Sequence, residues 1–211
     1  MGIVAYYLDV DAAQLAVLRA KPALVWNIAS DPRFAKSSMV EVDKDWEILS
    51  WIASPKKRVE RCHEAAWNKA FAQDIDSRQS RETFMKSVAQ SAKELACPPD
   101  DGEVDPLLKA IEGRGAENER EPALDFGMGA ARVFSPTEVK LLSVSFSKFD
   151  LATLRRNFDR KEMARFEVGG MDWETESDEV LDEFLLPSFD KIRDFYQRAA
   201  RMKHHVLVIY Q

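Results

Sequence analysis

Long hydrophobic runs are missing from this sequence of 211 residues. No segment approaches the roughly 18 consecutive apolar residues that a membrane-spanning helix needs. The first residues lack the basic stretch and apolar core of a secretory signal, and Tyr6 stands where a myristoylation signal after Gly2 would need Ser or Thr. Long basic runs are missing too. The densest cation cluster, Lys56-Lys57-Arg58 with Arg61, is diluted by Glu60 and Glu64, and the net charge is −6. A phosphate backbone is repelled by such an average field, so nucleic acid is not an expected partner. Histidine is scarce: His63, His204 and His205 have no second ligand at metal spacing, and neither metal nor cofactor is expected. No Gly-x-Ser-x-Gly elbow occurs, and Cys62 and His63 would diverge on a helix, so no nucleophilic set is visible. Cys62 and Cys97 are the only cysteines and read as reduced, structural thiols of a cytoplasmic protein.

What is present is an ordinary globular composition, 45% hydrophobic and 31% charged, in a chain long enough for one domain with its own core. Residues 2–8 read as a strand. Asp11 with Gln14 three residues later signals a capped helix running to about Ala20, and Ala23–Ala29 a short helix. Asp43 is the expected cap of a core helix over 44–53 that ends at Ser54-Pro55. Two further helices are expected between 55 and 97. Val59, Cys62, Ala66, Ala70 and Phe71 form one apolar stripe, and Phe84, Val88, Ala92 and Leu95 a second, after a Ser80 cap. That hairpin carries nine basic and six acidic residues. A loose segment over 98–122 contains a short helix from Pro106 to Ile111.

Residues 124–139, LDFGMGAARVFSPTEV, are the most informative stretch. As a regular strand they put Gly127 and Gly129 on one face, leaving bare backbone open to a crossing helix or a ligand. Gly127-x-Gly129-x-x-Arg132 lacks the third glycine of a dinucleotide fingerprint, and Glu138 stands where a phosphate would sit. Ser135, Pro136 and Glu138 form a capping box for the helix that follows. Arg132 needs either a carboxylate, with Asp9, Asp125 and the acids of 172–183 as candidates, or an anionic ligand. Asp150 caps a further helix, and the acids from Asp172 to Glu183 read as a solvated face with Trp173 tucked against it. The last helix contains Pro187, which predicts a kink or restart, and Val206–Tyr210 close the chain as a buried strand.

Six segments stand out by their order and spacing: Met1-Gly2-Ile3-Val4-Ala5-Tyr6, Val42-Asp43-Lys44-Asp45-Trp46, Asp105-Pro106-Leu107, Gly129-Ala130-Ala131-Arg132, Ser135-Pro136-Thr137-Glu138-Val139, and the apolar helix and strand from Leu181 to Tyr210. Together they resemble the YfbM-like family of bacterial proteins. The resemblance implies a single α+β domain over 1–211, with a small sheet of N-terminal, central and C-terminal strands covered by several helices. Residues 54–100 depart from it and read as a helical-hairpin insertion. It implies no reaction. The expected function is a non-enzymatic cytoplasmic binding or protein-interaction domain. The alternative is an enzyme or ligand sensor holding a small anionic ligand beside Gly127, Gly129 and Arg132, with Tyr6 and Tyr7 lining the pocket.

Overall fold

A computed structural model describes residues 3–74, 80–115, 121–126 and 129–211. Its centre is an antiparallel sheet of four strands, β1 (Ala5–Val10), β2 (Ser38–Val42), β3 (Arg132–Phe134) and β4 (His205–Tyr210), in the order β2-β1-β4-β3. The register pairs Tyr7 with Val208 and Arg132 with the same Val208, so all three share one face of the sheet. Alternation sends Tyr6, Leu8, Leu207 and Val133 to the other face.

Helices cover both faces. On one side α1 (Ala12–Ala20) and a 3-10 helix over Pro22–Ser30 bury Leu15, Leu18, Val25 and Ile28 against Leu8, Val133 and Leu207. The other side holds the larger core, built by α2 (Asp45–Ala53), α5 (Pro106–Glu112), α6 (Pro136–Lys148) and α9 (Leu186–Met202). Phe146 stacks on Tyr196 at 5.4 Å and meets Phe189 at the same centroid distance. Two buried tyrosine hydroxyls finish α5: Tyr196 donates to the Ala110 carbonyl at 2.8 Å and Tyr7 to that of Ile111 at 2.6 Å. They satisfy carbonyls that the helix end leaves without intrahelical partners. Gly113 then turns the chain at φ 66°, a left-handed C-cap that glycine adopts without strain.

Local chemistry sets the helix boundaries. Asp11 and Gln14 form the expected capping box, as do Ser135 and Glu138. Replacing Ser135 with alanine is expected to cost about 1 kcal/mol, read as a lower urea midpoint, with threonine retaining most of it. Pro187 follows a π-helical turn over Leu181–Leu185 that runs unbroken into α9, so the irregularity expected at Pro187 takes the form of a π turn and the helix does not restart. α7 (Leu151–Asn157) starts at the Asp150 cap, and α8 (Arg160–Arg165) follows it. The hairpin expected over 54–100 is formed by α3 (Pro55–Asp74) and α4 (Arg81–Glu94), with Ser80 capping the second helix.

Four expectations are corrected. Cys62 and Cys97 are not free thiols. A disulfide joins them, because α4 returns antiparallel and brings Cys97 beside the first half of α3. The argument for a cytosolic location that rested on reduced cysteines therefore lapses. The strand expected to begin at Leu124 is confined to Arg132–Phe134; residues 122–124 form a 3-10 turn, and Asp125 pairs with Ala130 in an isolated bridge. Strand β2 has no counterpart among the expected strands, since as an edge strand it exposes Met39 and buries fully only Val42. Finally, Asp43 does not cap α2, whose N-terminus makes no side-chain cap bond. Among the described residues no helix is long and apolar enough to cross a membrane.

Candidate functional site

The residues singled out in the sequence do not assemble into one pocket. Gly127 lies outside the described residues. Gly129 has φ 103° beside the Asp125–Ala130 bridge, and a Cβ built there meets nothing within 4 Å, so no helix crosses it; the position demands glycine for its backbone conformation. Tyr7 is fully buried, and burial first, then its tyrosine neighbours Tyr210 and Tyr196, pushes its hydroxyl far above the usual range. Tyr6 points from the opposite face of β1 and meets Trp26 edge-on at 5.6 Å. Neighbours on a strand cannot line the same cavity.

Arg132 finds an aromatic partner instead of a carboxylate. Its guanidinium carbon lies 4.6 Å from the centroid of the Tyr210 ring, and its Nε is buried without a hydrogen-bond partner. Its stem passes Gly113, where any Cβ would come within 3.0 Å of the Arg132 Cβ. Asp9, one candidate partner, is taken up by Arg198 and the Ser38 amide. Desolvation nevertheless raises the Asp9 carboxyl above its usual range. The Nδ1 of buried His204 stands 3.7 Å from the same carboxylate without a hydrogen bond.

Beside Arg132 lies a buried ionic network that the sequence did not announce. The carboxylate of Glu112, 4% exposed, receives the Lys57 ammonium at 2.9 Å and the Arg114 Nε at 2.7 Å. Glu60 binds Arg114 through both oxygens at 2.6 and 2.8 Å and approaches Lys57 at 3.9 Å. The network joins the start of α3 to the end of α5. Burial, then the nearby Glu112 charge, lifts the Tyr210 hydroxyl well above its ordinary range, so it stays a neutral ring under Arg132.

Two clefts run along the seam between the hairpin and the body, and a third lies beyond them against α7, α8 and the acidic connector. One of about 570 Å³ is bordered by Trp46, Lys57, Glu60, Arg61 and Gly170. A second of about 430 Å³ shares Arg61 and Glu64 with it. The third, about 1040 Å³, meets the second at Arg165 and runs to Arg160, Trp173 and Asp178. Arg61 spans the seam, donating to the carbonyls of Phe166 at 3.1 Å and Glu167 at 2.8 Å. Arg132 borders none of the three.

The hairpin exposes large apolar side chains on both of its helices. Trp67 is 45% exposed, Phe71 58% and Met85 47%. Trp67 meets Phe84 edge-on at 4.8 Å, so the apolar surface bridges both helices. The expected stripe assigned Phe71 to the core, yet Trp67 and Phe71, four residues apart, form a second row on the outer side of α3. Beyond the seam, Trp173 is buried with its indole donating to the Val168 carbonyl at 2.7 Å, and the acids around it face solvent as expected.

Fold and site together define an α+β domain with a two-faced four-stranded sheet and a disulfide-fixed helical hairpin carrying exposed aromatic residues. A family described as Domain of unknown function (DUF1877) matches residues 1–209, and this chain belongs to it. Among solved structures it is similar to the protein of unknown function YfbM from Escherichia coli. The identity is 15%, the TM-score 0.56, and 99% of each chain is covered; at that identity the likeness is one of fold. No match was found among the curated proteins.

Proposed function

We propose that this chain is a protein-interaction domain that contacts its partner through the outer face of the α3–α4 hairpin. The observation that carries the reading is the exposed row of Trp67 and Phe71 with Met85 nearby on α4. Aromatic residues and methionine are enriched in the centres of interfaces, and clustered apolar exposure is costly in water unless something covers it. The face is also held in place for docking. Cys62–Cys97, Lys69–Glu94 at 2.7 Å and the Trp67–Phe84 contact fix α4 on α3, while Arg61 and the Lys57–Glu112 pair fix α3 on the body. A preformed surface loses little conformational freedom on binding.

The test compares the purified protein with its Trp67→Ser/Phe71→Ser variant in native pulldowns from the host. Phe71 is exposed, and when Trp67 loses its contact with Phe84 the disulfide and the Lys69–Glu94 pair still hold α4, so the variant is expected to keep its helical circular dichroism and to lose the captured partner. An identical set of captured proteins for both would sink the reading.

A further inference from the structure

We infer that the hairpin face receives the acidic segment 172–184 of a second copy of this chain, giving a two-fold dimer with two identical contacts. This rests on the hairpin being the contact face and adds what covers it. Charge is unevenly divided along the chain. The hairpin, 55–97, holds nine of the 30 basic residues and only six of the 36 acidic ones. The excess is smaller on its outer face, because Lys56, Lys57 and Arg61 are paired with Asp101, Glu112 and Glu47 of the body.

The complementary surface is on the same molecule. Segment 172–184 has seven acids and no Lys or Arg, and it ends on Phe184, which is 56% exposed. Arg160 engages Asp178 and Arg155 engages Asp182, both at 2.6 Å. Asp172, Glu174, Glu176, Glu179 and Glu183 form no ion pair among the described residues. On the hairpin, Arg81 and Lys93 are exposed and likewise form none, and Lys86 is engaged only by Glu82 in an exposed i,i+4 pair. Such surface pairs are worth little and exchange readily. Each element thus carries unspent charge of opposite sign and an exposed aromatic residue.

Position favours exchange between two copies. The hairpin and the acidic segment lie to either side of α8, since a cleft bordered by Lys69 and Leu95 and another bordered by Glu174 and Asp178 both reach Arg165. With the two patches so placed, a two-fold axis at α8 sets each opposite its complement on the other copy. Apolar burial supplies the affinity and the opposed charges select the orientation.

Sedimentation velocity of the full chain over a wide concentration range tests this. The expected result is a reversible species of twice the 24.1 kDa chain mass, weakened by added salt. Phe71→Glu on the hairpin, and Glu174→Lys with Glu179→Lys on the segment, should each weaken dimerisation by about tenfold or more, consistent with loss of at least 1.4 kcal/mol. Mixing the two variants should restore a heterodimer, because one hairpin and one segment of the mixture remain intact. A wild type that stays monomeric overturns the inference, as does a dimer unaffected by both variants or a mixture that fails to associate. The pulldown separates these failures from failure of the hairpin reading. If the wild type is monomeric but Trp67→Ser/Phe71→Ser loses a host partner, the face stands and only its occupant is wrong. If neither association nor capture depends on the hairpin, both fall.

Discussion

Replacing Glu112 with leucine will lower stability by about 3 kcal/mol, among the largest effects of any single substitution outside the aromatic core. The reason is what it leaves behind. The Lys57 side chain is 7% exposed and would keep only Glu60, at 3.9 Å, as a counter-charge. Breaking one side of a buried pair typically costs 3–5 kcal/mol, because the remaining charge is stranded away from water. The lower end applies here, since Arg114 is a third exposed and retains its two-oxygen contact with Glu60. Lys57→Met should cost a similar amount, less whatever Arg114 returns to Glu112 at 2.7 Å. The Lys57→Met/Glu112→Leu double variant should be markedly more stable than the sum of the singles, because no buried charge is then orphaned. Urea unfolding of the four proteins gives the coupling directly. A double variant that merely adds the two losses would show that these groups do not act as one unit.

That network also marks where the sequence stops being informative. Its members lie in two places far apart in the chain, at 57 and 60 and at 112 and 114, and only the docking of α3 against the end of α5 brings them together. Features decided within a few residues were legible: both capping boxes, the Ser80 and Asp150 caps, the hairpin helices and an irregularity at Pro187. Strand β2 was not, because an edge strand with Met39 and Glu41 facing out shows no clear apolar alternation. The glycines before Arg132 read as a bare strand face, whereas Gly129 takes a positive φ that a strand cannot use. Arg132 suggested a carboxylate partner by charge alone; the ring that meets it comes from Tyr210 in the neighbouring strand. The expected pocket carried its own contradiction, since strand alternation already separates Tyr6 from Tyr7. For the disulfide the separation of 35 residues gave no local signal, and the pairing follows only from how α4 folds back.

Reduction of that disulfide will release α4 without unfolding the sheet. Closing a loop with a sequence separation of 35 removes chain entropy worth about 4 kcal/mol on the loop-closure account. The question is where in the molecule this loss is felt. Helix α3 has other anchors: Arg61 holds two carbonyls of the body, Lys57 joins Glu112, and Lys56 meets Asp101. Helix α4 has few. Ser91 is its fully buried residue, and besides its packing on α3 it is held by the exposed Lys69–Glu94 pair, the Trp67–Phe84 contact and a long 3.4 Å bond from Arg165 to the Leu95 carbonyl. An element with so little buried surface opens locally before the core does. Hydrogen exchange read by mass spectrometry, with and without a dithiol reductant, should therefore show amides of 81–94 exchanging at least about tenfold faster on reduction, while those of β1 and β4 keep their protection. The Cys62→Ser/Cys97→Ser variant should match the reduced protein. Uniform acceleration across the sheet would mean that the disulfide stabilises the whole domain cooperatively, and no change in α4 would mean that packing on α3 suffices. Because Phe84 and Met85 lie on the released helix, the same reductant should also weaken whatever docks on the hairpin, tying the occupancy of that face to the redox state of a single bond.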